Sequence, residues 1–264
     1  MTTGSRKEGD FPWWLLLAAT IAAFLMYRIV ADQLYSRVLA TLSRGIGVTI
    51  FVTLVAFAMA MLAGLLLALG SMSRFLLIRQ VTRFYVEIIR GVPMMVLLLY
   101  VAFVLAPALV TAWNWLTSLL GLEPARTRDF SLMWRAIIAL TIGYSAFLSE
   151  VFRAGLQSID PGQIEAAESL GLNGWQRFRH IVFPQAIRTI MPPLGNDFVA
   201  MIKDSSLVSV LGVYDITQAG KITAAGNFRY FETYNVVALI YLIMTVGLSL
   251  LLRRLETRMR RNDR

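Results

Sequence analysis

The chain has 264 residues, 57% of them hydrophobic, with no cysteine, one histidine (His180) and a formal net charge of +9. Soluble domains are roughly half apolar. Here the apolar residues come in long uncharged runs edged by Arg and Lys, so the charge reads as membrane orientation rather than as a nucleic-acid surface. The composition excludes disulfides, Cys-based zinc sites, thiol catalysis, a His-cluster metal site and a Ser-His triad of the usual form.

A membrane-spanning helix needs about 20 mostly apolar residues. Six stretches qualify: 13–30, 46–70, about 92–110, about 132–151, about 190–213 and 234–252. The expected fold class is all-α, a polytopic membrane helix bundle of about six transmembrane helices. Residues 1–12 form a polar leading segment with Arg6 and Lys7. A basic start before an apolar run also describes a signal peptide. No small-residue cleavage site follows at Met26-Tyr27-Arg28, which favours a retained helix over 13–30.

In the second run Ala56, Ala60, Gly64 and Ala68 recur every four residues. That spacing lets helix backbones approach closely, and packing within the chain is its expected use. Glu87 and Arg90 stand three apart before Gly91-Val92-Pro93, where the third run opens. Glu150 and Arg153 do the same where the fourth run ends. Two i,i+3 ion pairs are expected at these membrane edges. They serve either as helix-end anchors or, with Pro93, as parts of a gate. Pro107, Trp113 and Trp115 predict that the third run bends into an interfacial segment.

Between the fourth and fifth runs lies a polar, helix-forming insert, residues 160–184. Asp160, Pro161 and Gln163 read as N-cap, first helical residue and capping-box partner. Ala166, Ala167, Glu168 and Leu170 favour helix, and Gly171 supplies the left-handed residue that ends one. Asn173 and Gln176 repeat the capping-box spacing, and Trp175, Phe178 and Val182 then make one apolar stripe. Pro184 is expected to stop the second helix, because the residue before a proline avoids the helical region. The predicted product is helix, glycine corner, helix: a docking knob.

The fifth run is interrupted by Asn196, Asp197, Lys203 and Asp204, with Ser205 beside them. A charge at mid-bilayer costs about 2.5–3.5 kcal/mol on insertion scales, so such groups face a bundle interior or an aqueous cavity. On a helix Asn196 and Lys203 share one face, and Asp197 and Asp204 the adjoining one. The stripe either lines a route for a polar substrate or holds Lys203 and an Asp as a structural pair. The chain has no Walker A sequence. Gly220-Lys221 is followed by Ile222 and lacks the glycine five positions earlier, so any ATP is expected in another chain. Lys and Arg are concentrated at the N-terminus, around 74–90, in 152–189 and in the tail 253–264. This bias places both termini and the insert on the cytoplasmic side.

Glu165-Ala166-Ala167, Gly171, Ile181 and Pro184 resemble the EAA loop of ABC importer membrane subunits, the coupling helix that docks on the ATPase. YVEIIRGVPMMVLLLY (85–100), SAFLSEVFRAGLQSIDPGQIEAAESLG (145–171) and LGNDFVAMIKDSSLVSVLGV (194–213) are similar to the permeases for polar amino acids, such as those for histidine, glutamine and arginine. The resemblance runs from about Gly45 to Leu252. It departs from the common pattern at Phe183, often Leu, and at Val92, often Thr. It implies a type I ABC importer permease domain over 45–252, an additional helix over 13–30 and a basic tail over 253–264. It also implies a multi-pass subunit of the cell (inner) membrane that is not itself an enzyme and holds no cofactor, ATP-Mg being bound by its partner. The implied partners are two ATPase subunits, a second permease, identical or homologous, and an extracytoplasmic amino-acid-binding protein, in a lipid bilayer and without nucleic acid. An ion-driven secondary transporter using Asp197, Lys203 and Asp204 is the alternative, with no visible internal repeat to support it.

Overall fold

A computed structural model of the protein describes residues 13–118, 121 and 123–261. Arg6, Lys7 and the rest of 1–12, like Arg264, lie outside the described residues. The helices in chain order are α1 (Trp13–Ala31), α2 (Gln33–Ser71), α3 (Leu76–Gly91), α4 (Met94–Tyr100), α5 (Ala106–Ser118), α6 (Leu132–Gln157), α7 (Pro161–Ser169), α8 (Gly174–Arg177), α9 (Phe183–Asp204), α10 (Ile216–Asn227) and α11 (Tyr230–Arg261). Among the described residues there is no strand.

Caps fix several of the starts. Asp32 accepts from the Leu34 amide at 2.9 Å, and Asp215 from the Gln218 amide at 2.8 Å. Each satisfies one of the orphan donors of a helix N-terminus. At 39 residues α2 is about 58 Å long, nearly twice the hydrocarbon thickness. It begins well before the apolar run that announced it.

α6 is the centre of the bundle. Two thirds of its apolar window is buried, against one third or less for the windows of α2, 94–118 and α11, which leave large apolar side chains such as Leu62 and Leu66 outward. The α2 stripe of Ala56, Ala60, Gly64 and Ala68 is buried. A Cβ on Gly64 would lie 2.9 Å from Leu148 Cβ and 3.1 Å from the Ser145 carbonyl oxygen. The small residues therefore let α2 lie directly on α6, as expected. α9 also packs on α6, and α11 lies against α9. A second cluster of Ile29, Tyr35, Leu42, Ile216, Val236 and Ile240 joins α1, α2, α10 and α11.

Among the described residues four helices are long and apolar enough to cross a membrane: 33–71, 94–118, 132–157 and 230–255. α1 contributes a shorter apolar stretch, Ala19–Ala31. Two expectations are corrected. The third run does not break off into a separate interfacial segment at Pro107: α4 and α5 form one continuous helix through a π turn at Val101–Leu105. The wider turn removes the clash that a proline ring makes with the carbonyl four residues earlier. The fifth run does not span 190–213 as one helix: α9 starts at Phe183 and ends at Asp204. A 3-10 turn, Ser205–Leu211, follows and ends at Gly212 with φ +81.

Candidate functional site

The insert 160–184 is a capped helical hairpin. Asp160 accepts from the Gly162 amide at 2.7 Å, and Pro161 opens α7. α7 ends in a Schellman motif: the Leu172 amide donates to the Ala167 carbonyl (3.1 Å) and the Gly171 amide to that of Glu168 (2.9 Å). The motif requires a left-handed residue, and Gly171 supplies it at φ +75. Asn173 and Gln176 make the reciprocal capping box, at 2.9 and 3.0 Å. Glu168 and Arg177 close the hairpin as an ion pair.

Gln163 does not take the capping role expected of it. Its side-chain oxygen accepts from Gln185 Nε2 at 2.6 Å, tying α7 to the start of α9. Nor does Pro184 stop the second helix. Phe183 is helical (φ −60, ψ −47), and a π turn at Phe178–Val182 carries α8 into α9 without a break. The widened turn again sits just ahead of a proline. Glu165 and Ala166 are exposed, Ala167 is buried, and Ile181 and Pro184 are half-buried. Leu170 (80% exposed) and Trp175 (67%) project into solvent. Trp175 stacks on Phe178, and Phe178 meets Phe183 at a tilt of 49°, with ring centroids 5.9 Å apart in both pairs. Beneath the hairpin Ile164 and Val182 pack on Ile159, Ala186 and Ile190, which seat it on α6 and α9. Gly155 makes that seat close: a Cβ there would fall 2.3 Å from Ile190 Cγ1.

The far end of α9 reaches a cavity of about 250 Å³ lined by Met94, Leu97, Gly143, Tyr144, Phe147, Asp197 and Asp204 among others. Tyr144 donates to Asp204 at 2.8 Å. Asp197 and Asp204 therefore face the cavity together, while Asn196 and Lys203 are exposed on the neighbouring face. Lys203 makes no ion pair with either aspartate among the described residues, so the structural-pair reading does not hold within one chain. Ser205 is buried and donates to the Ile202 carbonyl. Tyr144 and Phe147 were not singled out in the sequence. They sit in an apolar run and are marked only by Gly143, which admits Met94.

A polar cleft lies where α2, α3 and α6 end, lined by Ser71, Arg83, Glu87, Glu150 and Arg153. Of the two ion pairs expected, Glu150–Arg153 forms. Glu87–Arg90 does not: the Arg90 guanidinium lies over the Phe147 ring, 6.0 Å from its centroid. All three groups are exposed, and at such sites a ring face and a carboxylate attract an arginine about equally, so local geometry decides. Phe147 thus lines the cavity and also carries Arg90. Tyr85 anchors α3 to α6 through Ile142 O (3.1 Å) and Ser145 Oγ (2.9 Å), and burial raises its phenol above the ordinary value. Pro93 caps α4 after the extended Val92, and its carbonyl accepts from Leu97.

The sequence profile of the binding-protein-dependent transport system inner membrane component matches residues 60–261. The probable amino-acid permease protein YxeN of Bacillus subtilis is 36% identical over 211 residues, covering 80% of this chain and 88% of the relative. The glutamine transport system permease protein GlnP of Escherichia coli K12 is 35% identical over 219 residues, covering 83% and 93%. A crystal structure of an amino acid ABC transporter with histidines superposes with a TM-score of 0.69 at 36% identity, over 83% of this chain and 94% of that one. An inward-facing MetNI methionine ABC transporter matches with a TM-score of 0.62 at 18% identity, which speaks for the fold alone.

Proposed function

This chain belongs to the binding-protein-dependent transport system inner membrane component family, and from that premise we propose that it carries amino acids for an ATP-driven importer. It is a multi-pass inner-membrane permease subunit, without catalytic activity of its own. ATPase and substrate-binding partners go with the family in general. Our finer reading is two ATPase subunits carrying ATP-Mg, a second permease, identical or homologous, and an extracytoplasmic amino-acid-binding protein. Both termini and the hairpin 160–184 are then cytoplasmic, and the loop before α6 is outside. The Lys and Arg distribution supports this orientation.

The observation that carries the coupling reading is continuity. The hairpin with Glu165, Ala166, Ala167, Gly171, Ile181 and Pro184 joins, without a break in helix, the segment that holds Asp197 and Asp204 at the cavity. A ligand or a partner shifts an equilibrium only through contacts that differ between two states. ATPase closure moves the hairpin, the helix moves with it, and the lining of the cavity changes. Asp197 and Asp204 suit the ammonium of an amino acid; Glu87, Arg90, Glu150 and Arg153 form the membrane-edge gate.

The test is reconstitution with the ATPase and binding protein in vesicles, with candidate amino acids added to the binding-protein side. ATPase stimulation and uptake by one amino acid class are expected. ATP-independent uptake driven by an imposed ion gradient would overturn the reading.

A further inference from the structure

Arg135 is the outlying fact of this bundle. It stands in the first turn of α6, only 6% exposed, and has no carboxylate partner among the described residues. Its guanidinium is spent on carbonyls: Nε donates to Phe130 O (2.9 Å), Nη1 to Ala102 O (3.0 Å) and Nη2 to Thr127 O. The Phe130 ring lies 5.8 Å from it. A buried cation is kept only where dipoles replace its water, so the identity of the third carbonyl carries information.

Ala102 lies in the π turn Val101–Leu105, where the Ala106 amide donates to Val101 O. The next bond of that pattern would run from residue 107 to Ala102 O, and residue 107 is a proline without an N–H. The α-type donor for Ala102 O, the Ala106 amide, is already used. Arg135 thus supplies the hydrogen bond that Pro107 withholds. The same guanidinium holds the loop before α6 at both Thr127 and Phe130. That loop is itself ordered: Asn114 brackets Ala125 with two 2.8 Å bonds, and the Asp129 carboxylate caps the Arg126 amide at 2.9 Å. Arg126, Arg128, Glu123 and Asp129 are left exposed on it as a charged rim.

We propose that Arg135 is a positioning residue that ties the outer loop 123–131 to the π turn of the helix 94–118, so that a binding protein seated on the loop acts on the helix that lines the cavity. This rests on the outward orientation of that loop given above. Met94 and Leu97 of the same helix line the cavity, one to two turns from the π turn. The helix cannot shift its hydrogen-bond register there without releasing the loop.

The experiment uses the reconstituted complex of permease and ATPase with its binding protein. Arg135→Met should raise the binding-protein concentration for half-maximal ATPase stimulation by at least about fivefold, the low end of ordinary coupling factors. The ATPase rate without binding protein should stay within about twofold of wild type. Pro107→Ala restores an N–H at residue 107 and guards against misfolding of the single variant. In the double variant hydrogen exchange over 99–108 should return to the wild-type rate, while the response to binding protein stays weak, because the loop remains untied. An unchanged response in Arg135→Met overturns the proposal. So does a double variant in which the response recovers with the helix, since Arg135 would then serve the carbonyl alone. A wild-type complex that no binding protein stimulates would instead refute the importer reading itself.

Discussion

The glycine corner of the hairpin allows a prediction whose cost has one source. At Gly171 φ is +75, and a Cβ built there meets nothing within 4 Å. A side chain at this position therefore clashes with no neighbour, and its penalty is backbone strain alone. The left-handed conformation costs an L residue about 1–2 kcal/mol. A β-branched residue is at the upper end or beyond it, whereas Asn visits this region readily. In Gly171→Val the corner should therefore open about 5- to 30-fold more often, the factor that 1–2 kcal/mol sets. In Gly171→Asn the change should be small. The reporter is the Leu172 amide, which donates to Ala167 O only while the corner is formed. Hydrogen exchange over 167–176 in the purified complex should speed up in the order Gly, Asn, Ala, Val, and vesicle uptake should fall in that order. Wild-type exchange and uptake in Gly171→Val would refute the argument. Equal damage from Asn and Val would refute it differently, by placing the cost in a side-chain contact rather than in φ.

Other outcomes follow from the seat, the docking surface and the cavity. Gly155→Ala should lower the thermal midpoint in detergent, overpacking costing about 1–3 kcal/mol, and should cost less when introduced into an Ile190→Ala background, where the crowding atoms are gone; an equal cost in both backgrounds would mean that the contact is not the cause. Glu165→Lys should leave expression and insertion normal, since the helix-dipole loss is only about 0.3–1 kcal/mol, yet abolish co-purification of the ATPase. Retention of the ATPase would remove Glu165 from the docking surface. Lys203→Met breaks no ion pair among the described residues, so it should keep ATPase docking and lose uptake; unchanged uptake would return Lys203 to a snorkelling surface role.

What could be read from the sequence was local. Asp160, Gly171 and the Asn173–Gln176 box announced the hairpin because caps and corners are decided within a few residues. The α2 stripe of small residues announced a close helix contact for the same reason, although the partner, α6, was not named by it. Gln163 misled because its partner, Gln185, lies 22 residues on, across a turn not yet folded. Arg90 misled similarly: spacing offered Glu87, while the fold offered the face of Phe147. Pro107 and Pro184 are the more general case. The rule that a proline stops a helix assumes α-type hydrogen bonds before it. A π turn at 101–105 and another at 178–182 change that assumption, and a residue count does not show them. The pairing of Asp197 with Asp204 on one face was legible from their heptad spacing. That Tyr144 closes the other side needed α6 in place.

The tight contact of Gly155 with Ile190 has a mechanical consequence. The rod from Gly174 to Asp204 is about 45 Å long, and Ile190 lies about 24 Å from one end and about 21 Å from the other. Were this rod to tilt as one body, Pro192 and Pro193 in α9 included, that contact would serve as its fulcrum. A tilt of about 5° would swing the aromatic end by about 2 Å one way and the aspartate end by nearly the same amount the other way. The gearing would then be close to one to one, with the direction of the stroke reversed. A bulkier residue at 155 would move the fulcrum as well as crowd it.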